Sequence, residues 1–78
     1  MLLVLTTLPS AADHPSFAAA IVEQKLAACV QILPEMMSVY VWKEKVEKDA
    51  ERLLLIKTLP ERLGELERFI VENHPYEV

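Results

Sequence analysis

The chain has few of the residues that hold very small proteins together through covalent or metal bonds. It contains one cysteine, which excludes a disulfide within the chain, and with two histidines it has too few ligands for a structural zinc site. A 78-residue chain buries only about 60–65% of the surface that its unfolded form exposes. Because 53% of the residues are hydrophobic and the mean hydropathy is +0.22, we expect one domain over residues 1–78 that buries apolar surface against copies of itself.

Long apolar runs and an excess of positive charge are also missing. The longest purely apolar run, Met1 to Leu5, is far shorter than the roughly 20 residues that span a bilayer, and no charged segment precedes it as in a signal peptide. We therefore expect a cytoplasmic protein without a membrane partner. The net charge of −4 and a pI near 5.0 argue against binding to nucleic acid, since neutralising phosphates requires a basic surface.

Glycine is scarce as well, with one residue against five prolines, which predicts long elements and few loops. The continuously apolar first segment is typical of a strand that is covered on both faces and central in its sheet. Asp13 is the better of two candidate N-caps for the helix that follows, because Pro15 then lies in the first turn. The strand after this helix is interrupted by a proline, which predicts a bent edge strand. The expected elements are Met1–Thr7, a helix from Asp13 to about Leu26–Ala28, Cys29–Leu33 and Ser38–Trp42.

The second half of the chain predicts a hairpin and a second helix. The charged stretch Lys43–Asp49 contains the hairpin tip, and Glu51–Thr58 returns as a buried strand. Thr58 and Glu61 have the spacing of a capping box at the start of a helix that ends near Asn73. The apolar stripe of this helix is expected at Leu59, Leu63, Leu66 and Ile70.

This order, β-α-β-β-α, is that of an α+β protein with a ferredoxin-like split βαβ sandwich, in which two helices cover one face of an antiparallel sheet. The architecture requires a fourth strand beside the first, and only Tyr76–Val78 hints at one. We therefore expect the domain to be incomplete at its C-terminal end.

The clearest candidate for metal binding lies near the C-terminal end. His74 and Glu77 place an imidazole and a carboxylate three residues apart around a rigid proline, a pair suited to copper or zinc. The alternative is a histidine that caps the carbonyls at the end of the helix. His14, in the first turn of its helix, is expected to be exposed, and Cys29 is expected to pack as a small apolar residue.

A second candidate site lies on the hairpin. Tyr40 and Trp42 share one face of a strand, and Lys57 lies on the neighbouring strand, although the sequence does not give the register. Two aromatic rings beside an ammonium group can line a pocket for an anionic ligand, whereas the alternative is an aromatic anchor at a subunit interface. An acylphosphatase-like enzyme would require an arginine near the first strand, and none precedes Arg52.

Several stretches together resemble the CutA divalent-cation-tolerance family. The resemblance covers nearly the whole chain and rests on Leu3–Thr7 with Pro9, Glu23–Val30 with Ile32 and Pro34, Ser38–Trp42, Leu55–Thr58 and His74–Val78. It implies a ferredoxin-like fold, a non-enzymatic cytoplasmic homotrimer, and a link to tolerance of Cu²⁺ and other divalent cations. The trimer also resembles that of the PII signalling proteins, so the alternative function is a sensor that binds a small molecule between subunits.

The chain departs from this family in three ways. Family members continue past the last motif into a fourth strand and a terminal helix. Of the three copper ligands proposed for a bacterial member, the corresponding positions here are Thr6, Asn73 and His74, so one ligand remains. At the hairpin tip Glu44 stands where the family usually has glycine, so the expectation is either a different form of turn or a strained positive φ at Glu44.

Overall fold

The computed structural model describes residues 1–74, which form four strands and two helices. The elements follow the predicted order, except that the bent edge strand is divided in two and a short 3₁₀ turn precedes the second helix. Their bounds are β1 Leu2–Pro9, α1 His14–Glu23, β2 Cys29–Ile32, β3 Met36–Trp42, β4 Lys45–Thr58, the 3₁₀ turn Pro60–Arg62 and α2 Leu63–Asn73.

The long strand β4 is the centre of the antiparallel sheet. Its second half pairs on one side with β1, from Leu2 opposite Thr58 to Pro9 opposite Glu51. On the other side it pairs first with β3 and then with β2, so that β2 and β3 form one interrupted edge, as predicted.

The interruption around Pro34 adds one residue to this edge. As a result, even-numbered side chains lie on one face of the sheet in β2 and on the other face in β3. Ile32 lies opposite Leu54 and Met36 opposite Glu51, so three residues on the edge oppose two on β4, as in a β-bulge. Val30 and Ile32 therefore face the helices, whereas Tyr40 and Trp42 lie on the opposite surface of the sheet. We call this opposite surface, which carries the odd-numbered residues of β1 and β4, the outer face.

Both helices pack on the same face of the sheet and enclose the core. The core consists of Leu8, Ile21, Leu26, Ala27, Leu54, Ile56 and Leu66, each at most 8% exposed. Across its edge the rings of Phe17 and Phe69 join α1 to α2 at a centroid distance of 5.5 Å. The ferredoxin-like α+β architecture expected from the sequence is thus confirmed in residues 1–74.

The ends of α1 follow local side-chain chemistry. Asp13 is the N-cap, as predicted, and its carboxylate accepts hydrogen bonds from the backbone N–H and the hydroxyl of Ser16. The helix ends earlier than expected, at Glu23, because Lys25 adopts φ 59° and the chain closes a Schellman motif there. In this motif the Lys25 N–H donates to Val22 and the Leu26 N–H donates to Ile21, which leaves Leu26 in the core.

The predicted capping box at the start of α2 is wrong. The Thr58 hydroxyl is buried and donates to the carbonyl of Leu26 at 2.6 Å, so it joins the end of β4 to the loop after α1. The regular part of α2 then begins at Leu63, after the 3₁₀ turn. Leu59 is correspondingly 45% exposed rather than part of the buried stripe, which Leu66 anchors.

The first strand is covered on one face only. Leu8 is buried against the helices, but Leu3 and Leu5 on the outer face are 59% and 57% exposed, so the prediction of a strand covered on both faces is wrong for the described chain. No residue in the range 1–74 pairs with the second edge of β1. The strand predicted to begin at Tyr76–Val78 lies outside the described residues.

The hairpin tip lies at Lys43 and Glu44. Trp42 pairs with Lys45, which leaves a two-residue loop with φ 51° at Lys43 and φ 66° at Glu44. Two successive positive φ values are typical of a type I′ turn, which usually contains asparagine and glycine. Of the two alternatives expected at the tip, the structure has the positive φ at Glu44, and Lys43 shares it.

Candidate functional site

His74 follows the last residue of α2 and joins this helix to the first strand. Its Nε2 lies 2.6 Å from the carbonyl oxygen of Thr7. Because a carbonyl only accepts, Nε2 carries the proton and the lone pair of the neutral ring is on Nδ1. Histidines that bind metals are usually held in this way, with one ring nitrogen donating to a carbonyl.

Residues 1–74 of one chain nevertheless do not contain a complete metal site. They include no group of three or more histidine, cysteine, aspartate or glutamate side chains that could hold an ion. Asn73, beside His74, donates its side-chain amide to the carbonyl of Phe69 and thereby caps the end of α2. Glu77, the second ligand predicted from the sequence, lies outside the described residues.

The aromatic pair lies on the hairpin formed by β3 and the first half of β4, which we call the arm (residues 36–50). Tyr40 is opposite Glu47 and Trp42 is opposite Lys45, so the two rings share the outer face as predicted. The Tyr40 hydroxyl donates a hydrogen bond to the carboxylate of Asp49. This bond, with desolvation and the negative charges of Asp49, Glu47 and Glu51 as smaller causes, raises the pKa of Tyr40 to about 12.

The arm has no core of its own. On the helix side of its strands, Val39, Val41 and Val46 are 59%, 70% and 68% exposed, and on the outer face Trp42 is 57% exposed. The ammonium of Lys43 lies over the Trp42 ring, 5.9 Å from its centroid, in a cation–π arrangement. The arm is therefore a two-stranded projection that exposes apolar side chains on both faces.

Lys57 does not join the aromatic pair within one chain. It is paired with Leu3 on one side and Cys29 on the other, ten residues along β4 from Glu47, the residue opposite Tyr40. At about 3.3 Å per residue this separation is about 33 Å. The expected proximity of Lys57 to Tyr40 and Trp42 is thus wrong for a single subunit.

Two further expectations change with the structure. His14 is buried, with 4% of its surface exposed, so the prediction that it is exposed is wrong. Its Nε2 has no hydrogen-bond partner in the described chain. Its position, four residues before Ala18 and seven before Ile21, puts it on the buried stripe of α1, a signal that the sequence contains. Cys29 is half-buried on the outer face.

Asp49 and Thr7 are site residues that the sequence patterns do not identify. In the sequence Asp49 appears only as one charge in the hairpin tip, and its contact with Tyr40 follows from the register, which places it two residues beyond the cross-strand partner of that tyrosine. Thr7 contributes a backbone carbonyl, which no side-chain pattern reports.

Comparison with known proteins gives the family. A sequence model of the CutA1 divalent ion tolerance proteins matches residues 2–78. The chain belongs to this family. A CutA homologue from Xenopus laevis is 43% identical over 72 residues, which cover 92% of this chain and 48% of the relative. The chain thus spans about half the length of that relative.

Solved structures of CutA proteins have the same fold. The divalent cation tolerance protein from Thermus thermophilus matches with a TM-score of 0.90 and 42% identity, covering 97% of this chain and 74% of the other. A protein described as PII-like CutA, from Nostoc, matches with a TM-score of 0.91 and 35% identity, covering 100% and 73%. No helix of residues 1–74 is long and apolar enough to cross a membrane.

Proposed function

We propose that the chain acts in tolerance of divalent cations as a non-enzymatic cytoplasmic homotrimer that binds Cu²⁺ or another divalent cation. The family match over residues 2–78 carries this proposal. The exposed apolar surface supports an assembly of several copies. The valines of the arm and the leucines of β1 form a surface that a soluble monomer rarely leaves uncovered.

In this proposal His74 supplies one metal ligand. The hydrogen bond from Nε2 to Thr7 fixes the ring and directs its lone pair to Nδ1, as in histidines that bind metals. Since residues 1–74 of one chain do not complete a site, the remaining ligands come from Glu77 or from another copy of the chain.

Titration calorimetry with Cu²⁺ and Zn²⁺ tests this assignment. We expect His74→Ala to weaken binding of the preferred ion at least tenfold and Glu77→Gln to weaken it less. Glu72→Gln, which changes a carboxylate of α2, serves as the control, and circular dichroism checks that each variant is folded. Binding that is unchanged in His74→Ala contradicts the assignment of His74.

A second candidate function is a PII-like sensor that binds a small molecule between subunits. The similarity to the Nostoc protein described as PII-like favours it. The surroundings of Tyr40, with Glu47 opposite and Asp49 hydrogen-bonded to the hydroxyl, weigh against an anionic ligand at that position. Calorimetry with adenine nucleotides distinguishes the two functions, because a metal-binding protein without a nucleotide site gives no heat of binding.

A further inference from the structure

The outer face of the sheet carries two exposed patches at opposite ends of β4. The body patch consists of Lys57 with Leu3 and Leu5, whose side chains are 59% and 57% exposed. The lysine is exposed among neighbours that carry no charge, and no carboxylate of residues 1–74 forms an ion pair with it. An unpaired ammonium on an apolar surface is costly to cover unless the covering surface supplies a negative charge.

The arm patch has the complementary chemistry. It consists of Tyr40 with Glu47, Asp49 and Lys45, the first residue of β4, and these residues together carry a net charge of −1. The Tyr40 hydroxyl holds the carboxylate of Asp49 beside the aromatic ring. A carboxylate next to an aromatic ring is a favourable place for an ammonium group, through ion pairing and cation–π attraction.

The two patches cannot meet within one subunit. Asp49 and Lys57 lie on the same strand, eight residues and therefore about 26 Å apart. They also lie on the same face of the sheet, so bending the arm cannot bring them together while β4 stays extended. If the patches pair, they pair between two copies of the chain.

We propose that Lys57 of one copy binds at Tyr40 and Asp49 of the next copy. The contact joins different patches on the two subunits, which makes it a head-to-tail contact of the kind that closes into a ring. It covers the apolar neighbours of Lys57 with the outer face of the arm. This inference rests on the proposed homotrimer and adds the residues that connect its subunits.

Zero-length cross-linking with a carbodiimide tests the contact directly. The reagent couples an amine only to a carboxylate in contact with it, so a peptide linking Lys57 to Asp49 or Glu47 must come from two chains. Mixing chains labelled with ¹⁴N and ¹⁵N before the reaction verifies this origin by mass spectrometry. We expect the cross-link in the wild-type assembly and its loss in Lys57→Arg, which keeps the charge but lacks a primary amine.

Charge reversal provides a second measurement. Lys57→Glu and Asp49→Lys are each expected to weaken assembly at least tenfold, as measured by sedimentation at decreasing chain concentration, and the double variant is expected to restore most of the loss. Lys25→Glu, which reverses an exposed charge in the turn after α1 and away from the arm, is the matched control and should change assembly little. Stable trimers with neither the cross-link nor a response to the reversals overturn this contact alone. A wild-type chain that is monomeric overturns the homotrimer as well.

Discussion

Individual residues in this chain act through bonds that connect distant segments. Thr58 and His74 each bond to a backbone carbonyl more than 30 residues away in the sequence, at Leu26 and Thr7 respectively. These two bonds hold the loop after α1 to the end of β4, and the end of α2 to β1. A hydrogen bond in a buried position is costly to remove, because the group that is left behind loses its partner away from water.

Removing the Thr58 hydroxyl should therefore destabilise the fold. In Thr58→Val the shape is retained but the carbonyl of Leu26 loses its donor in a buried position, which costs about 1–3 kcal/mol. Chemical denaturation at a fixed chain concentration measures the change. Thr6→Val is the control, since Thr6 is a half-buried strand residue without a side-chain hydrogen bond in the described chain. Equal losses in both variants would contradict this role of the hydroxyl.

Tyr40 should titrate well above an ordinary tyrosine. Its pKa is raised to about 12, mainly by the hydrogen bond to Asp49, so the folded state favours the neutral phenol. The stabilisation that this bond gives is present below pH 10 and is lost as the pH rises from 10 towards 12. Ultraviolet absorbance of tyrosinate measures the pKa in a Tyr76→Phe background, which leaves one tyrosine. Asp49→Asn should lower it towards 10, and an unchanged titration would contradict the assigned cause.

At the scale of elements, the hairpin tip combines a demanding turn with unsuitable residues. Lys43 and Glu44 both adopt positive φ, which residues with a Cβ atom tolerate poorly. Glu44→Gly should stabilise the chain by roughly 0.5–1 kcal/mol, measured by thermal unfolding. Lys45→Gly, one residue further and inside β4, should instead lower stability. A Glu44→Gly variant that unfolds at a lower temperature would show that the side chain makes a compensating contact.

The sequence predicted the elements better than their contacts. The hydrophobic pattern and the positions of proline and capping residues predicted the order β-α-β-β-α, the Asp13 cap and the interruption near Pro34. These features depend on residues close together in the chain. The position of Lys57 relative to Tyr40 depended on the register and length of β4, which no local pattern determines. The Thr58–Glu61 spacing fitted a capping box, but burial assigned the hydroxyl to Leu26 across the fold instead.

The same distinction applies to the candidate site. His74 could be singled out from its motif, whereas its hydrogen bond to Thr7 required the tertiary structure. Asp49 was one of seven residues in a charged stretch, and only pairing with β3 identifies it as the partner of Tyr40. A residue whose role comes from a backbone carbonyl or from a cross-strand diagonal has no sequence signature.

At the scale of the whole molecule, the sheet divides into a body that has a core and an arm that has none. The principal extents of 39 × 22 × 20 Å reflect this elongated shape. Isolated two-stranded hairpins are marginally stable in water, so an arm of this length requires a surface to pack against. In residues 1–74 the arm residues stay exposed on both faces, and this is the surface that the proposed assembly would cover.

Charge placed on the helix side of the arm should therefore affect assembly and leave the folded body intact. Val41 is 70% exposed in the single chain, so Val41→Lys removes little packing within a subunit. In an assembly that buries the arm, the same change puts an unpaired ammonium into an apolar interface and should weaken association at least tenfold. Light scattering after size-exclusion chromatography measures the mass, and near-ultraviolet circular dichroism reports the packing of each chain. Glu44→Lys, at the exposed tip, is the matched addition of positive charge and should leave the mass unchanged. If Val41→Lys assembles as the wild type does, the helix side of the arm faces solvent in the assembly, and a neighbouring copy covers only the outer face of the arm.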